Sequence, residues 1–168
     1  MKTNKITSTV FIILSLLLFY HCAEKEKTNP GPVTGSLIGN SNCKSDLKAD
    51  TTTNFSCVEY SYNITSKILI FKHINAGFNC CPEGFYCNVS LKNDTIVIEE
   101  FENSSLCDCN CLYDLDIEVK GIESKTYQIK FIEPYCGNQA KIEFGVDLAV
   151  LQQDSYCVTR TNYPWGIF

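Results

Sequence analysis

The sequence has little of what nucleic-acid binding and hydrolytic catalysis require. Arg160 is the only arginine and the net charge is −5, so the cationic surface that neutralises phosphates is missing and we expect no nucleic-acid partner. Only two histidines occur, His21 and His73, and no serine stands in a Gly-x-Ser-x-Gly turn. We therefore expect no catalytic residues, no resident metal and no cofactor.

Helical periodicity is also missing, apart from a possible turn near residues 149–153. Short segments of alternating apolar and polar residues, separated by turn residues, occupy the chain from about residue 50 onward. The predicted strands are 56–63, 67–74, 85–92, 95–101, 111–120, 126–132 and 141–148. This pattern predicts an all-β fold, a disulfide-stapled two-layer antiparallel β-sandwich of about seven strands.

Cysteine, in contrast, is abundant, with 11 residues in a chain of 168. Such a density is stable as disulfides only outside the reducing cytosol. The N-terminus agrees with export, because the basic segment MKTNK precedes an apolar run at residues 10–20 that is too short to span a bilayer. We expect residues 1–21 to be a signal peptide.

The apolar run ends directly at Cys22, in the sequence FYHCAEKEK. This junction resembles the precursors of bacterial lipoproteins, and the cysteine-rich body resembles uncharacterised lipoproteins of that kind. The resemblance implies cleavage before Cys22 after its thiol has taken a diacylglycerol, and a lipid-anchored protein of the bacterial cell envelope, at the outer membrane or cell surface. A competing cut after Ala23 would remove Cys22 and release a secreted domain.

The segment that follows Cys22 is polar, contains glycine and proline, and lacks periodicity. We therefore predict a lipid anchor with a flexible tether at residues 22–49 and a cysteine-rich domain at residues 50–168. The membrane would be a partner through the anchor, while the sequence identifies neither a ligand nor a protein partner. The expected role is binding or structural.

Ten cysteines remain after either cut, and we predict that all of them form disulfides: Cys43, Cys57, Cys80, Cys81, Cys87, Cys107, Cys109, Cys111, Cys136 and Cys157. Cysteines two apart on a regular strand lie about 7 Å apart, beyond disulfide reach, so each must bond to another segment. We expect at least two links between the group 80, 81 and 87 and the group 107, 109 and 111. The other four would join the end of the tether and the C-terminal segment to the sandwich.

Strand alternation places Cys107, Cys109 and Cys111 in series with apolar residues as far as Val119, and so predicts that all three point inward. The same alternation places Cys87 on the inner face of its strand. A zinc or copper(I) site built from Cys-x-Cys-x-Cys beside Cys-Cys is an alternative, but it requires reduced thiols. A thioredoxin-like role lacks a Cys-x-x-Cys at a helix start.

His73 is in series with the apolar Leu69 and Phe71, which favours a packed histidine over a catalytic base. Acidic residues at 108, 114, 116 and 118 form a row that we expect on the outer face of one strand, with further charge from Glu99 and Glu100 on another. Without a shaped loop, such a row is a solvated face and not a calcium site. A carboxylate hydrolase that uses His73 and a secreted ligand or inhibitor domain remain alternatives.

Overall fold

The computed structural model describes residues 32–44, 54–105 and 107–162. They form nine strands: β1 (Thr34–Asn40), β2 (Phe55–Asn63), β3 (Ile68–Asn79), β4 (Pro82–Lys92), β5 (Thr95–Ser105), β6 (Asn110–Lys120), β7 (Thr126–Ile132), β8 (Glu143–Asp147) and β9 (Gln153–Thr159). Within these ranges there is no helix long and apolar enough to cross a membrane. The segment near residues 149–153 contains a turn, in which the backbone N–H groups of Val150 and Leu151 donate hydrogen bonds to the carbonyl of Asp147.

The strands form two sheets, one of five strands in the order β1-β6-β3-β2-β9 and one of four in the order β4-β5-β7-β8. The prediction of an all-β sandwich cross-linked by disulfides is confirmed. The prediction of a wholly antiparallel fold is wrong at one place, because β5 and β7 run parallel. Two strands can pair in parallel only through a crossover, and here β6, which lies in the other sheet, provides it.

All seven predicted strands occur, because alternation of apolar and polar residues places one face of each strand in the core. In β2, for example, the buried Val58, Tyr60 and Tyr62 alternate with exposed residues. The turn at residues 92–95 is also confirmed, and both central residues, Asn93 and Asp94, have positive φ angles. Such angles are typical of the two-residue turns that match the twist of a hairpin.

Strand β1 lies inside the segment that was predicted to be a tether, and that prediction is wrong for 34–40. β1 pairs antiparallel with β6 at the edge of the five-stranded sheet, and Leu37 packs against the core. Its Gly35 lies so close to β4 that an added Cβ would come within 2.5 Å of a methyl carbon of Val89. Gly35, one of the glycines that suggested a linker, therefore allows β1 to pack against the opposite sheet.

A bulge in β3 divides the core into two parts. Its register against β6 shifts between His73 and Ala76, and Asn75 between them has a φ of 64°. The inward residues have odd numbers before the bulge and even numbers after it, as at Ala76 and Phe78. One cluster fills the main sandwich, and a smaller cluster lies at the end that carries most of the cysteines.

Candidate functional site

Eight of the ten predicted cysteines form disulfides: Cys43–Cys111, Cys57–Cys157, Cys80–Cys109 and Cys81–Cys107. The expectation of two links between the two central cysteine groups is confirmed by the last two bonds. Cys43 joins the segment after β1 to β6, and Cys57 joins β2 to β9. The disulfides therefore fix both the first and the last described strand to the sandwich.

The prediction of disulfides is wrong for Cys87 and Cys136, which are free thiols. Cys87 does face inward as predicted, and it packs against the main core opposite Glu100 of β5. Cys136 lies after β7, where its sulfur accepts a hydrogen bond from Arg160 Nη1 at 3.0 Å. The Cys87 thiol therefore lies against the apolar core, and the Cys136 thiol lies beside the charged Arg160. Burial raises the pKa of Cys87 to about 11, with the Glu100 carboxylate adding to the effect.

The inward orientation predicted for Cys107 and Cys109 is also wrong, because β6 begins only at Asn110. Both residues are exposed, whereas Cys111, the first cysteine on the strand, is buried. Cys107 and Cys109 lie in the segment just before β6, where disulfides join them to Cys81 and Cys80, respectively. Cys22, the predicted lipidation site, lies outside the described residues.

A chain of polar side chains crosses the interior of the sandwich around His73. The Ser56 hydroxyl lies 2.9 Å from His73 Nε2, and Glu100 Oε1 lies 2.8 Å from His73 Nδ1. Ser56 and His73 have no exposed surface and Glu100 is 1% exposed. The prediction of a packed histidine is confirmed, and its surroundings are more polar than the sequence indicated.

The series of polar contacts continues from His73 to Arg160, the residue that follows β9. Glu133 Oε1 lies 3.7 Å from His73 Nε2, and both oxygens of Glu133 accept hydrogen bonds from Arg160 Nη2 at 2.7 Å. Arg160 Nη1 donates further to the carbonyl of Ala140. The single arginine, which is 1% exposed, therefore neutralises an internal carboxylate. We call Ser56, His73, Glu100, Glu133 and Arg160 the buried network.

Proton binding by this network follows from its burial and its pairing. Burial alone would lower the pKa of His73, but attraction to Glu100, with a smaller contribution from Glu133, raises it. Burial raises the pKa of Glu100 despite the opposing effect of His73. Oxygen Oε2 of Glu100 has no hydrogen-bond partner among the described residues. The pair therefore retains a proton more strongly than either side chain would in water.

Ser56, His73 and Glu100 have the connectivity of a nucleophile, a base and an orienting acid. A nucleophilic serine must meet its substrate, however, and the Ser56 side chain is sealed between the sheets. An internal ion cluster is also costly unless each charge is paired, which explains why two acids and two bases occur together. The arrangement supports a structural role, in which these contacts specify how the sheets pack.

Sequence reasoning missed four members of the network, although three of them carried a signal. Glu100 is in phase with the buried Ile96 and Ile98, so the expectation that it lies on the outer face was wrong. Ser56 and Arg160 are likewise in phase with the apolar residues of β2 and β9. Glu133 follows β7 and is outside any alternating pattern. Polar residues in phase with core positions are the signal of an internal network.

Three members of the predicted acidic row lie on the outer face of β6 as expected, whereas the fourth, Asp108, is exposed but lies before the strand. Asp114, Asp116 and Glu118 are partly exposed and alternate with buried apolar residues. Asp114 forms an ion pair with Lys44, and Glu118 forms one with Lys120 at 2.7 Å. Asp114 also accepts a hydrogen bond from the backbone of Asn75 at 3.1 Å, and so stabilises the bulge in β3. The row is a solvated, partly neutralised surface.

No protein-family model, curated protein or solved structure matches this chain.

Proposed function

We propose that this protein is a lipid-anchored lipoprotein of the bacterial cell envelope, at the outer membrane or cell surface, with a non-enzymatic binding or structural β-sandwich. The observation that carries the proposal is the set of four disulfides, because such bonds persist outside the reducing cytosol. Export is supported further by the basic and apolar N-terminal segment. Cys22 at its end supplies the thiol for lipid attachment.

A non-enzymatic role is supported by the burial of Ser56, the serine that contacts His73. Ser56 has no exposed surface, and His73, which it contacts, is equally enclosed. Catalysis by this triad would require the two sheets to separate. The network is instead suited to fixing how the two sheets pack against each other. The outer faces of the sheets are then the surfaces available for binding.

The position of β1 supports anchoring through the N-terminal side. β1 is an edge strand, and its first residue, Thr34, pairs with Lys120 at the end of β6. The Cys43–Cys111 disulfide holds the chain just after this strand. The segment that carries Cys22 therefore joins the domain at a covalently secured edge.

The test is to express the full chain in a diderm bacterium and to determine its intact mass and its partition between detergent and water. We expect acyl mass on a chain that begins at Cys22, and recovery in the detergent phase. Cys22→Ser is expected to move to the aqueous phase. Cys87→Ser, which removes a free cysteine within the domain, serves as the matched control and is expected to remain in the detergent phase. Wild-type protein without acyl mass would contradict the proposal.

A further inference from the structure

Four cysteines meet at one end of the sandwich. Cys80 and Cys81 lie at the turn from β3 to β4, and Cys107 and Cys109 lie just before β6. The sulfur atoms of Cys80, Cys107 and Cys109 all lie within 4.8 Å of one another, and the fourth, in Cys81, is bonded to Cys107. We call these four residues the cysteine cluster. It brings together as many sulfur ligands as a tetrahedral thiolate site uses.

We propose that the cysteine cluster, once its two disulfides are reduced, binds one Zn²⁺ ion through four thiolates. In a tetrahedral site with zinc–sulfur bonds of about 2.3 Å, neighbouring sulfurs lie about 3.8 Å apart. After reduction, the two bonded pairs, Cys80–Cys109 and Cys81–Cys107, must move apart to that distance, while the sulfur of Cys107 needs to approach those of Cys80 and Cys109 by at most about 1 Å. Side-chain rotation supplies such a change without movement of the strands.

Hydrogen bonds hold the two cysteine segments together independently of the disulfides. The backbone N–H of Cys80 donates to the carbonyl of Cys109 at 3.0 Å. The side chain of Asn79 donates to the carbonyl of Cys107, and its oxygen accepts from the backbone of Cys81 at 3.0 Å. Asn79 is itself buried. Opening the disulfides therefore leaves the four side chains facing one another.

Exposure makes these disulfides accessible to a reductant. Cys107 and Cys109 are exposed, whereas Cys111 of the adjacent Cys43–Cys111 disulfide is 1% exposed. Exposed disulfides are attacked by thiolates more readily than buried ones. The disulfide inside the core can therefore stay closed while the cluster opens.

The reaction balances with a dithiol as the electron donor. Each disulfide takes two electrons and two protons from one dithiol, which becomes a disulfide, so that two dithiols convert the cluster into four thiols. Zn²⁺ then binds the sulfurs as thiolates and displaces their protons. Two equivalents of a small disulfide, each reduced to two thiols, reverse the process by exchange and release the ion. The proposal rests on the cluster alone and does not depend on the lipid anchor.

The test uses the full chain treated with a limiting small dithiol under argon, then with zinc chloride, and desalted before metal analysis. Alkylation and peptide mass mapping identify the opened cysteines. We expect about one zinc per chain, bound at the cluster, and about tenfold less in Cys80→Ser/Cys109→Ser. Cys57→Ser/Cys157→Ser also lacks one disulfide, and this matched control is expected to bind zinc as the wild type does.

Cobalt(II) in place of zinc gives a second readout, because tetrahedral thiolate coordination produces characteristic absorption bands. Equal zinc in the two variants, or no more zinc in the wild type than in Cys80→Ser/Cys109→Ser, would overturn the proposal. So would loss of the far-ultraviolet β signal when the cluster disulfides open, because the hydrogen bonds would then not hold the segments. Acyl mass on Cys22 is measured separately, so failure here leaves the lipoprotein proposal intact.

Discussion

His73 Nδ1 lies 2.8 Å from Glu100 Oε1 inside the sandwich, and neither side chain has exposed surface. This ion pair joins the two sheets, because His73 belongs to β3 of the larger sheet and Glu100 to β5 of the smaller one. Removal of one member leaves the other as an uncompensated polar group in the interior. The stability of the fold therefore depends on the pair as a unit.

We predict that His73→Leu lowers the free energy of unfolding by about 3–5 kcal/mol, because it leaves the Glu100 carboxyl group buried without its partner. The double variant His73→Leu/Glu100→Leu is expected to recover part of that loss, since no unpaired carboxyl group remains and only the neutral Ser56 hydroxyl loses its partner. Urea unfolding measures both. Lys67→Ala is a suitable control, because the Lys67 and Glu123 side chains are 47% and 42% exposed, and an ion pair so open to solvent contributes little to stability. A His73→Leu effect no larger than that of Lys67→Ala would contradict the structural role of the pair.

The pH dependence of stability follows from the same two groups. The pKa values of His73 and Glu100 are both raised in the folded chain above their ordinary values of 6.5 and 4.5. The folded state thus binds protons more tightly than the unfolded state at both sites. The resulting stabilisation is complete below the ordinary pKa of each group and is lost as the pH rises through the folded value.

We therefore expect the free energy of unfolding to fall as the pH rises above the ordinary pKa values of 4.5 for Glu100 and 6.5 for His73, and to fall less in His73→Leu/Glu100→Leu. Urea midpoints across this range provide the measurement. Glu133 and Arg160, the other charged groups that face His73, are unchanged in the double variant and so contribute equally to both curves. If the urea midpoints of the wild type and the double variant changed with pH in the same way, His73 and Glu100 would not be the groups responsible for the pH dependence.

The disulfides are expected to differ in what they contribute, because they close loops of different length. Cys57–Cys157 spans 100 residues and Cys81–Cys107 spans 26. Loop-closure entropy predicts that Cys57→Ser/Cys157→Ser loses about 1 kcal/mol more stability than Cys81→Ser/Cys107→Ser. Denaturant unfolding of the two variants under non-reducing conditions measures the difference. A larger loss for the shorter loop would mean that native contacts, and not loop entropy, decide the contribution.

The free thiols give a prediction that needs no substitution. Cys87 and Cys136 are expected to resist alkylation at neutral pH in the folded chain, because burial raises the pKa of both thiols. In denaturant without reductant both are expected to react, and reduction is then expected to add about 8 Da, two hydrogens for each of the four disulfides. Peptide mass mapping locates the labels. A peptide pair joined through Cys87 and Cys136 would contradict the assignment.

Alternation of apolar and polar residues was enough to predict seven strands and the inward side of most of them, because burial of one face imposes a period of two. β1 was missed because its glycines resemble a linker, and β9 because its exposed edge residues hide the alternation of Tyr156 and Val158. The order of strands in the two sheets depends on contacts between distant segments. A single sequence does not encode these in any local pattern.

The candidate sites also divide into features that a local sequence pattern predicts and features that depend on contacts between distant segments. The two links between the central cysteine groups followed from the limited reach of a disulfide, whereas the free state of Cys87 and Cys136 depends on which groups the fold places beside them. His73 was correctly placed in the core because it is in phase with Leu69 and Phe71. Its pairing with Glu100 joins residues of different sheets, and only the folded arrangement brings them together.

The Cys43–Cys111 bond, which follows the edge strand β1, also has a mechanical meaning. A pull applied at Val33 would peel β1 from β6 one hydrogen bond at a time, beginning at Thr34, since the two strands are antiparallel and Thr34 pairs with the last residue of β6. Peeling would stop at Cys43, where the covalent bond transfers the load to β6 between β1 and β3. Tension at Val33 would thus detach β1 before any other strand of the sandwich carries the load.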